Sequence, residues 1–216
     1  MGRPWLFDLG ALFYGVMTAQ QTWRSSCALL ADYIPEGGRP PRVLDLGCGP
    51  GVSTIILAQA APAATVVGLD LAPRMLDQAR RYSARAGLDS TIQYVLADAA
   101  DLPFAGGSLD MVTGHSFLYL VPDRARVAAE AYRVLRRGGN LASMEPRSGA
   151  SIGTLLHRWR EIRYIISVIF WRPYSLWHGQ FSNRTFQDLL SSAGFTNLKT
   201  EEVLDGFGII GAGGKQ

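Results

Sequence analysis

Two cysteines, Cys27 and Cys48, are all that a chain of 216 residues contains. That is too few for a disulfide framework or a cysteine-based metal cluster. With only three histidines, and those scattered, a zinc site is not expected either. A reduced, cytoplasmic setting is the expectation. Charge of one sign is equally scarce. The net charge is +3 and no basic run is present, so nucleic acid is not expected as a partner. No apolar run reaches the ~18 residues that a spanning helix needs. A short apolar run, 9–17, follows Arg3, but Asp8 interrupts the region and no clean cleavage site comes after it. Position 6 is Leu6, where myristoylation prefers Ser or Thr. Repeats, low-complexity tracts and linkers are missing too. What remains is 48% hydrophobic and 18% charged, an ordinary globular composition with enough chain to bury a core.

The pattern of what is present is one of alternation. A helical N-terminal region runs to about Tyr33 and closes in the turn 34–38, which contains Pro35, Gly37 and Gly38. Short β-type runs then occur at 42–46, 65–69, 91–96, 109–113 and 140–144. Helical runs separate them at 52–61, 73–86 and 123–136, the second stopping at Gly87 and the third at Gly138 and Gly139. Strands alternating with helices predict a mostly parallel sheet covered on both faces. Such sheets bind ligands at the carboxyl ends of their strands.

At the first of these ends stands VLDLGCGPG, residues 43–51. Gly47, Gly49 and Gly51 strip side chains from a strand-to-helix turn, so that a ligand can lie against bare backbone. A tight turn without a ligand would use the same residues. The spacing is not that of a dinucleotide site, because Val52 stands where a third glycine is required, and no lysine is near for a phosphate loop. Asp45 precedes the turn, which suits a ligand with an amine or another positive centre. At the end of the second strand, Asp70 is placed to accept both hydroxyls of a ribose, or to cap the helix that begins near Pro73.

These residues, with 68–71 (GLDL), 97–99 (ADA), 102–104 (LPF) with Ser108 and Asp110, and 132–139 (YRVLRRGG), resemble the class I, Rossmann-like S-adenosylmethionine-dependent methyltransferases. The branch they are most similar to contains the ubiquinone and menaquinone C-methyltransferases. The resemblance implies a seven-stranded sheet with a final antiparallel hairpin. Helix 183–193 and runs 195–204 and 207–212 around Asp205 and Gly206 fit that ending. It implies one domain over 1–216, with an N-terminal cover 1–38, a cofactor core 39–147, a substrate-facing insert 148–180 and a C-terminal helix and hairpin 181–216. It also implies the cofactor, S-adenosylmethionine. Asp45 and the backbone of Gly47 and Gly49 would hold its methionine end, and Asp70 the ribose. Leu71 would pack on the adenine, Asp98 would accept from its amino group, and the Ala99 N–H would donate to a ring nitrogen. Met75 would lie by the nucleoside or simply in the core. Tyr14 would contact the cofactor from the N-terminal cover, although the acid common after that position is Gly15 here.

Transfer from a sulfonium is an in-line displacement that asks mainly for alignment and exclusion of water. A base is needed only where the acceptor arrives protonated. His115, after the fourth strand, is the candidate base or a pocket-shaping group, and Tyr14 is the second catalytic candidate. Glu145 would orient an acceptor or cap the segment after the fifth strand. His178 and Tyr174 could reach over the pocket, and His157 reads as surface. In the insert, apolar residues recur at helical spacing from Ile152 to Phe170, accompanied by Arg158, Arg160, Arg163 and Arg172. The segment 164–171 is apolar nearly all round, more than a helix packed on one side requires. It suits a core helix, or a wall for a quinone-type or lipid acceptor reached from an anionic membrane surface at its inner face. Trp5, Phe7, Leu12 and Tyr14 would form the opposite wall. A water-soluble aromatic or amine metabolite is the other acceptor class. A nicotinamide-dependent oxidoreductase and a non-catalytic methyltransferase-like binding protein are the rival functions. No feature fixes an oligomeric state.

Overall fold

The computed structural model describes residues 21–151, 153–155 and 160–216. Seven strands form one sheet in the order β3-β2-β1-β4-β5-β7-β6. These are β1 (Arg42–Leu46), β2 (Thr65–Asp70), β3 (Ile92–Leu96), β4 (Leu109–His115), β5 (Leu135–Pro146), β6 (Thr196–Val203) and β7 (Gly208–Gly214). The first five pair in parallel, and β7 enters antiparallel between β5 and β6. The expected Rossmann-like sheet and closing hairpin are both present.

Parallel strands covered on two faces must be apolar on both, and these are. Leu44, Leu46, Val67, Leu69 and Val112 face helices α4 (Arg124–Val134) and α6 (Asn183–Ser192) through Val127, Ala131, Phe186 and Leu190. Their neighbours Val43, Val66, Met111, Ala142 and Met144 face α2 (Val52–Ala60) and the turn after α1 (Gln21–Leu29). Phe186 is fully buried, and burial of a side chain of that size is worth about 1.5–3 kcal/mol. Helix α3 (Pro73–Arg85) starts with proline at its first position, where no N–H is needed. Ser182 caps α6 in a reciprocal box with Thr185.

One boundary differs from the sequence reading. The pattern predicts helix through Arg136 and a strand from Asn140, but α4 ends at Val134 and β5 begins at Leu135. Leu135 is fully buried and pairs with Leu109, and Gly138 N–H donates to the Lys215 carbonyl. Sheet pairing with a distant strand therefore overrides local helical preference.

Helix α5 (Ile162–His178) is the apolar segment of the insert. Tyr164 and Val168 pack on Ala150, Leu155 and Phe207 in a small cluster of their own. The opposite side presents Ile162, Ile166, Ile169, Leu176 and Trp177 to solvent, Trp177 at 87% exposure. The helix is apolar all round because both of its sides are apolar, and only one has a partner among the described residues.

Candidate active site

The carboxyl ends of β1, β2 and β3 lie side by side, with Asp45 opposite Gly68 and Asp70 opposite Leu96. Between β1 and α2 the chain turns through Gly47, Gly49 and Gly51, all at positive φ. A methyl at Gly47 would collide with the Phe117 ring, and one at Gly51 with Tyr94 and Ala79. Cys48 N–H bonds the Leu69 carbonyl at 3.0 Å, which ties the turn to β2.

Asp45 is wholly buried. Its Oδ2 accepts from Ser53 Oγ at 2.6 Å and Thr54 Oγ1 at 2.7 Å, while Oδ1 has no partner among the described residues. Burial, opposed by those two hydroxyls, pushes its pKa up to about 6. Thr113 stands opposite Asp45 in the β1–β4 register, and its Oγ1 is also buried and without a partner among the described residues. Asp70 accepts from Gly49 N–H through Oδ2 and from Ala72 N–H through Oδ1, each at 2.8 Å. Burial raises its pKa as well. The acid thus clasps the glycine turn to the start of α3, and each oxygen keeps a lone pair for a further donor. Beyond the buried Asp45 and the half-buried Asp70 the surface opens. Leu71 is 68% exposed, Asp98 is exposed with Oδ1 on Ala100 N–H at 2.8 Å, Ala99 is buried, and Met75 is half-buried.

His115 lies at the end of β4 in a different setting. It is buried, 2.9 Å from Ser26 Oγ through Nε2, with the Trp23 ring 4.4 Å away. Ser26 Oγ also lies 2.8 Å from the Trp23 carbonyl. Both bonds form together only when the hydroxyl donates to that carbonyl and His115 Nε2–H donates to the hydroxyl. Nδ1 is then a bare, buried acceptor, and it has no partner among the described residues. Burial pushes the imidazole pKa down to about 3, far from the value near neutrality expected of a free histidine. Tyr14, Trp5, Phe7, Leu12 and His157 lie outside the described residues.

Glu145 is the residue whose setting departs most from the sequence reading. It is wholly buried, and it binds the loop after β4 rather than capping the segment after β5. Its Oε1 accepts from Ser143 Oγ at 2.7 Å and Leu118 N–H at 3.0 Å, and its Oε2 from Tyr119 N–H at 3.2 Å. Burial, opposed by those donors, pushes its pKa up to about 7. Phe117 carries no local signal for its contact, because it meets a turn distant in sequence; Ser53 and Thr54 stand eight and nine residues after Asp45, and two hydroxyls just past the glycine turn are their signal. Tyr174 and His178 lie beside the loop after β4, their rings 6.3 Å and 6.5 Å from that of Tyr119.

Residues 43–139 match the family model described as a methyltransferase domain. That stretch is similar to methyltransferase domains and holds β1 to β4, the glycine turn, Asp70 and Asp98. The chain is 41% identical over 114 residues to the demethylmenaquinone methyltransferase of Thermus thermophilus, covering 51% of each chain. It is 33% identical over 163 residues to an uncharacterised protein of Mycobacterium tuberculosis, covering 76% of this chain and 56% of that one. The 27-O-demethylrifamycin SV methyltransferase of Amycolatopsis mediterranei is 37% identical over 101 residues, 47% of this chain and 37% of the relative. This chain therefore spans about half of these relatives' length, or less. Among solved structures, phosphoethanolamine N-methyltransferase 2 of Haemonchus contortus, in complex with S-adenosylmethionine, has a TM-score of 0.72 at 17% identity. That match covers 96% of this chain and 57% of the other. A Methanococcus maripaludis protein described as an S-adenosylmethionine-dependent methyltransferase reaches 0.75 at 22%, covering 96% and 92%. These two likenesses bear on the fold.

Proposed function

We propose that the chain transfers the methyl group of S-adenosylmethionine to a small hydrophobic acceptor. The observation that carries the cofactor end is the buried Asp45 Oδ1, which has no partner among the described residues below a bare glycine turn. A buried carboxylate oxygen left alone is costly, and the ammonium of a methionine moiety supplies the missing donor. Asp70 has lone pairs for the two ribose hydroxyls, the exposed Leu71 offers a face to the adenine, and Asp98 with the Ala99 N–H would read its edge. The backbone of Gly47 and Gly49 would hold the methionine end, with the Phe117 ring filling the space beside Gly47, and Met75 would border the nucleoside. The bound cofactor supplies an electrophilic methyl on a sulfonium.

The chain's own task is then alignment and dryness. His115, neutral at pH 7, would accept a hydrogen bond through Nδ1 rather than take a full proton, and Tyr14 would close the site from the N-terminal cover. Helix α5 supports the hydrophobic acceptor. The face of α5 that has no partner among the described residues matches the apolar stripe of an in-plane interfacial helix, and Arg160 sits exposed at its start. No helix among the described residues is long and apolar enough to cross a membrane, so contact would be from the surface, at the cytoplasmic face. Some of the relatives act, by name, on demethylmenaquinone, a greasy acceptor of this kind.

The test is co-sedimentation with anionic liposomes, for wild type and for Arg158, Arg160 and Arg163 changed to Glu, beside a screen of quinones and polar metabolites read by product mass. Methylated quinone or lipid with charge-dependent liposome binding supports the reading. Efficient turnover of a polar metabolite without liposome binding would assign α5 to ordinary packing.

A further inference from the structure

The loop after β4 has an unusual start and an unusual anchor. Ser116 takes a positive φ of 53°, a left-handed conformation unfavourable for a non-glycine residue, and its N–H is held by the Met144 carbonyl at 2.7 Å. Immediately afterwards, the N–H groups of Phe117, Leu118 and Tyr119 all point to the Glu145 carboxylate, at 3.4, 3.0 and 3.2 Å. Three successive backbone donors on one carboxylate form an anion nest, filled here by a side chain from the neighbouring strand. Ser143 contributes the fourth donor.

The loop held in this way faces two directions. At its start, the Phe117 ring lies against the bare Cα of Gly47, so close that no side chain could replace the glycine hydrogen. At its end, the carbonyls of Leu118 and Tyr119 accept from Arg124, at 3.1 and 2.8 Å. Arg124 also donates to the His178 carbonyl at the end of α5, at 3.1 Å. One buried carboxylate therefore fixes a loop that touches the glycine turn on one side and the apolar helix on the other.

We propose that Glu145 is a positioning residue: it sets cofactor affinity by folding the 116–120 loop so that Phe117 braces the Gly47 turn. The proposal rests on the cofactor site described above. Glu145 itself does not touch the cofactor; its effect passes through Phe117. A carboxamide cannot serve three N–H donors as a carboxylate does, because half of it is itself a donor. A purely structural role would lower stability without selectively changing loop exchange and ligand affinity.

The experiment measures amide hydrogen exchange and calorimetric affinity for S-adenosylhomocysteine in wild type, Glu145→Gln and Phe117→Leu. For Glu145→Gln, exchange at Phe117, Leu118 and Tyr119 should rise at least tenfold while the sheet stays protected, and affinity should fall about tenfold. For Phe117→Leu, exchange at Leu118 and Tyr119 should stay as in wild type while affinity falls several-fold. A folded Glu145→Gln protein with wild-type exchange, or with affinity within twofold of wild type, overturns the proposal. If Glu145→Gln does not fold, Phe117→Leu with unchanged affinity overturns it alone. Failure of the wild type to bind S-adenosylhomocysteine would instead contradict the cofactor reading itself.

Discussion

The two ends of this molecule's site are built from opposite materials. At the ends of β1 and β2, Asp45 is wholly buried and Asp70 half-buried, and the two acids are held by hydroxyls and backbone N–H groups. On α5, Ile162, Ile166, Ile169, Leu176 and Trp177 are hydrophobic side chains left in water. Each is the costly choice for its place. A buried acid with an unpartnered oxygen calls for a donor, and an exposed apolar stripe calls for an apolar partner. Under the proposed function, the difference would separate the ligands: a polar, cationic one for the strand ends, and a greasy surface or acceptor for the helix.

The comparison breaks most sharply at Asp70. Asp70→Ala should cost about 2–3 kcal/mol of affinity for S-adenosylhomocysteine, the scale of charge-assisted hydrogen bonds, and leave liposome binding unchanged. Calorimetry beside co-sedimentation reads both. Loss of liposome binding in that variant would mean that the two ends are not independent.

The buried titrating groups give the next effect. Asp45 and Glu145 have folded pKa values of about 6 and 7, above their ordinary values. Each holds a proton that the unfolded chain releases near pH 4, so each contribution to stability declines as pH rises toward 7. His115 works the other way. With a folded pKa of about 3, it adds stability as pH rises from about 3 to 6.5. Glu145→Gln removes one declining contribution. Its stability relative to wild type should therefore improve by about 2 kcal/mol between pH 5 and pH 7. Chemical denaturation at the two pH values measures this, and a difference that does not move would mean that Glu145 is ionised throughout.

Much of the polar end is legible in the sequence, and much less of the apolar end is. The glycine turn and Asp45 belong to a strand–turn–helix unit and Asp70 ends the strand that follows it, so their order and spacing locate them. The start of β5 is not legible, because the run around Leu135 continues a helical pattern and only pairing with Leu109 makes it a strand. Glu145 is visible as an acid after a strand, yet its partners are loop N–H groups in a distant segment. His115 is visible as a histidine at a sheet edge, whereas its neutrality comes from burial beside Trp23 and Ser26. For α5 the composition shows that apolar residues exceed what one face needs. Which residues meet the core is decided by Phe207 and Ala150, from outside the helix.

Smaller effects sharpen the apolar end. Trp177→Ala, at a side chain 87% exposed, should weaken liposome binding while leaving the unfolding midpoint and S-adenosylhomocysteine affinity as in wild type. Arg160→Glu should weaken the same binding by about 1 kcal/mol, an effect that fades at high salt. A lowered unfolding midpoint in the tryptophan variant would show that the face has a partner within the chain.

The central claim is that the ends of β1 to β3 hold S-adenosylmethionine. Calorimetric titration of the wild-type protein with S-adenosylhomocysteine and with NADH tests it most directly. The expected result is saturable binding of S-adenosylhomocysteine, weakened by Asp70→Ala, and no heat from NADH. Tight binding of NADH with none of S-adenosylhomocysteine would contradict it.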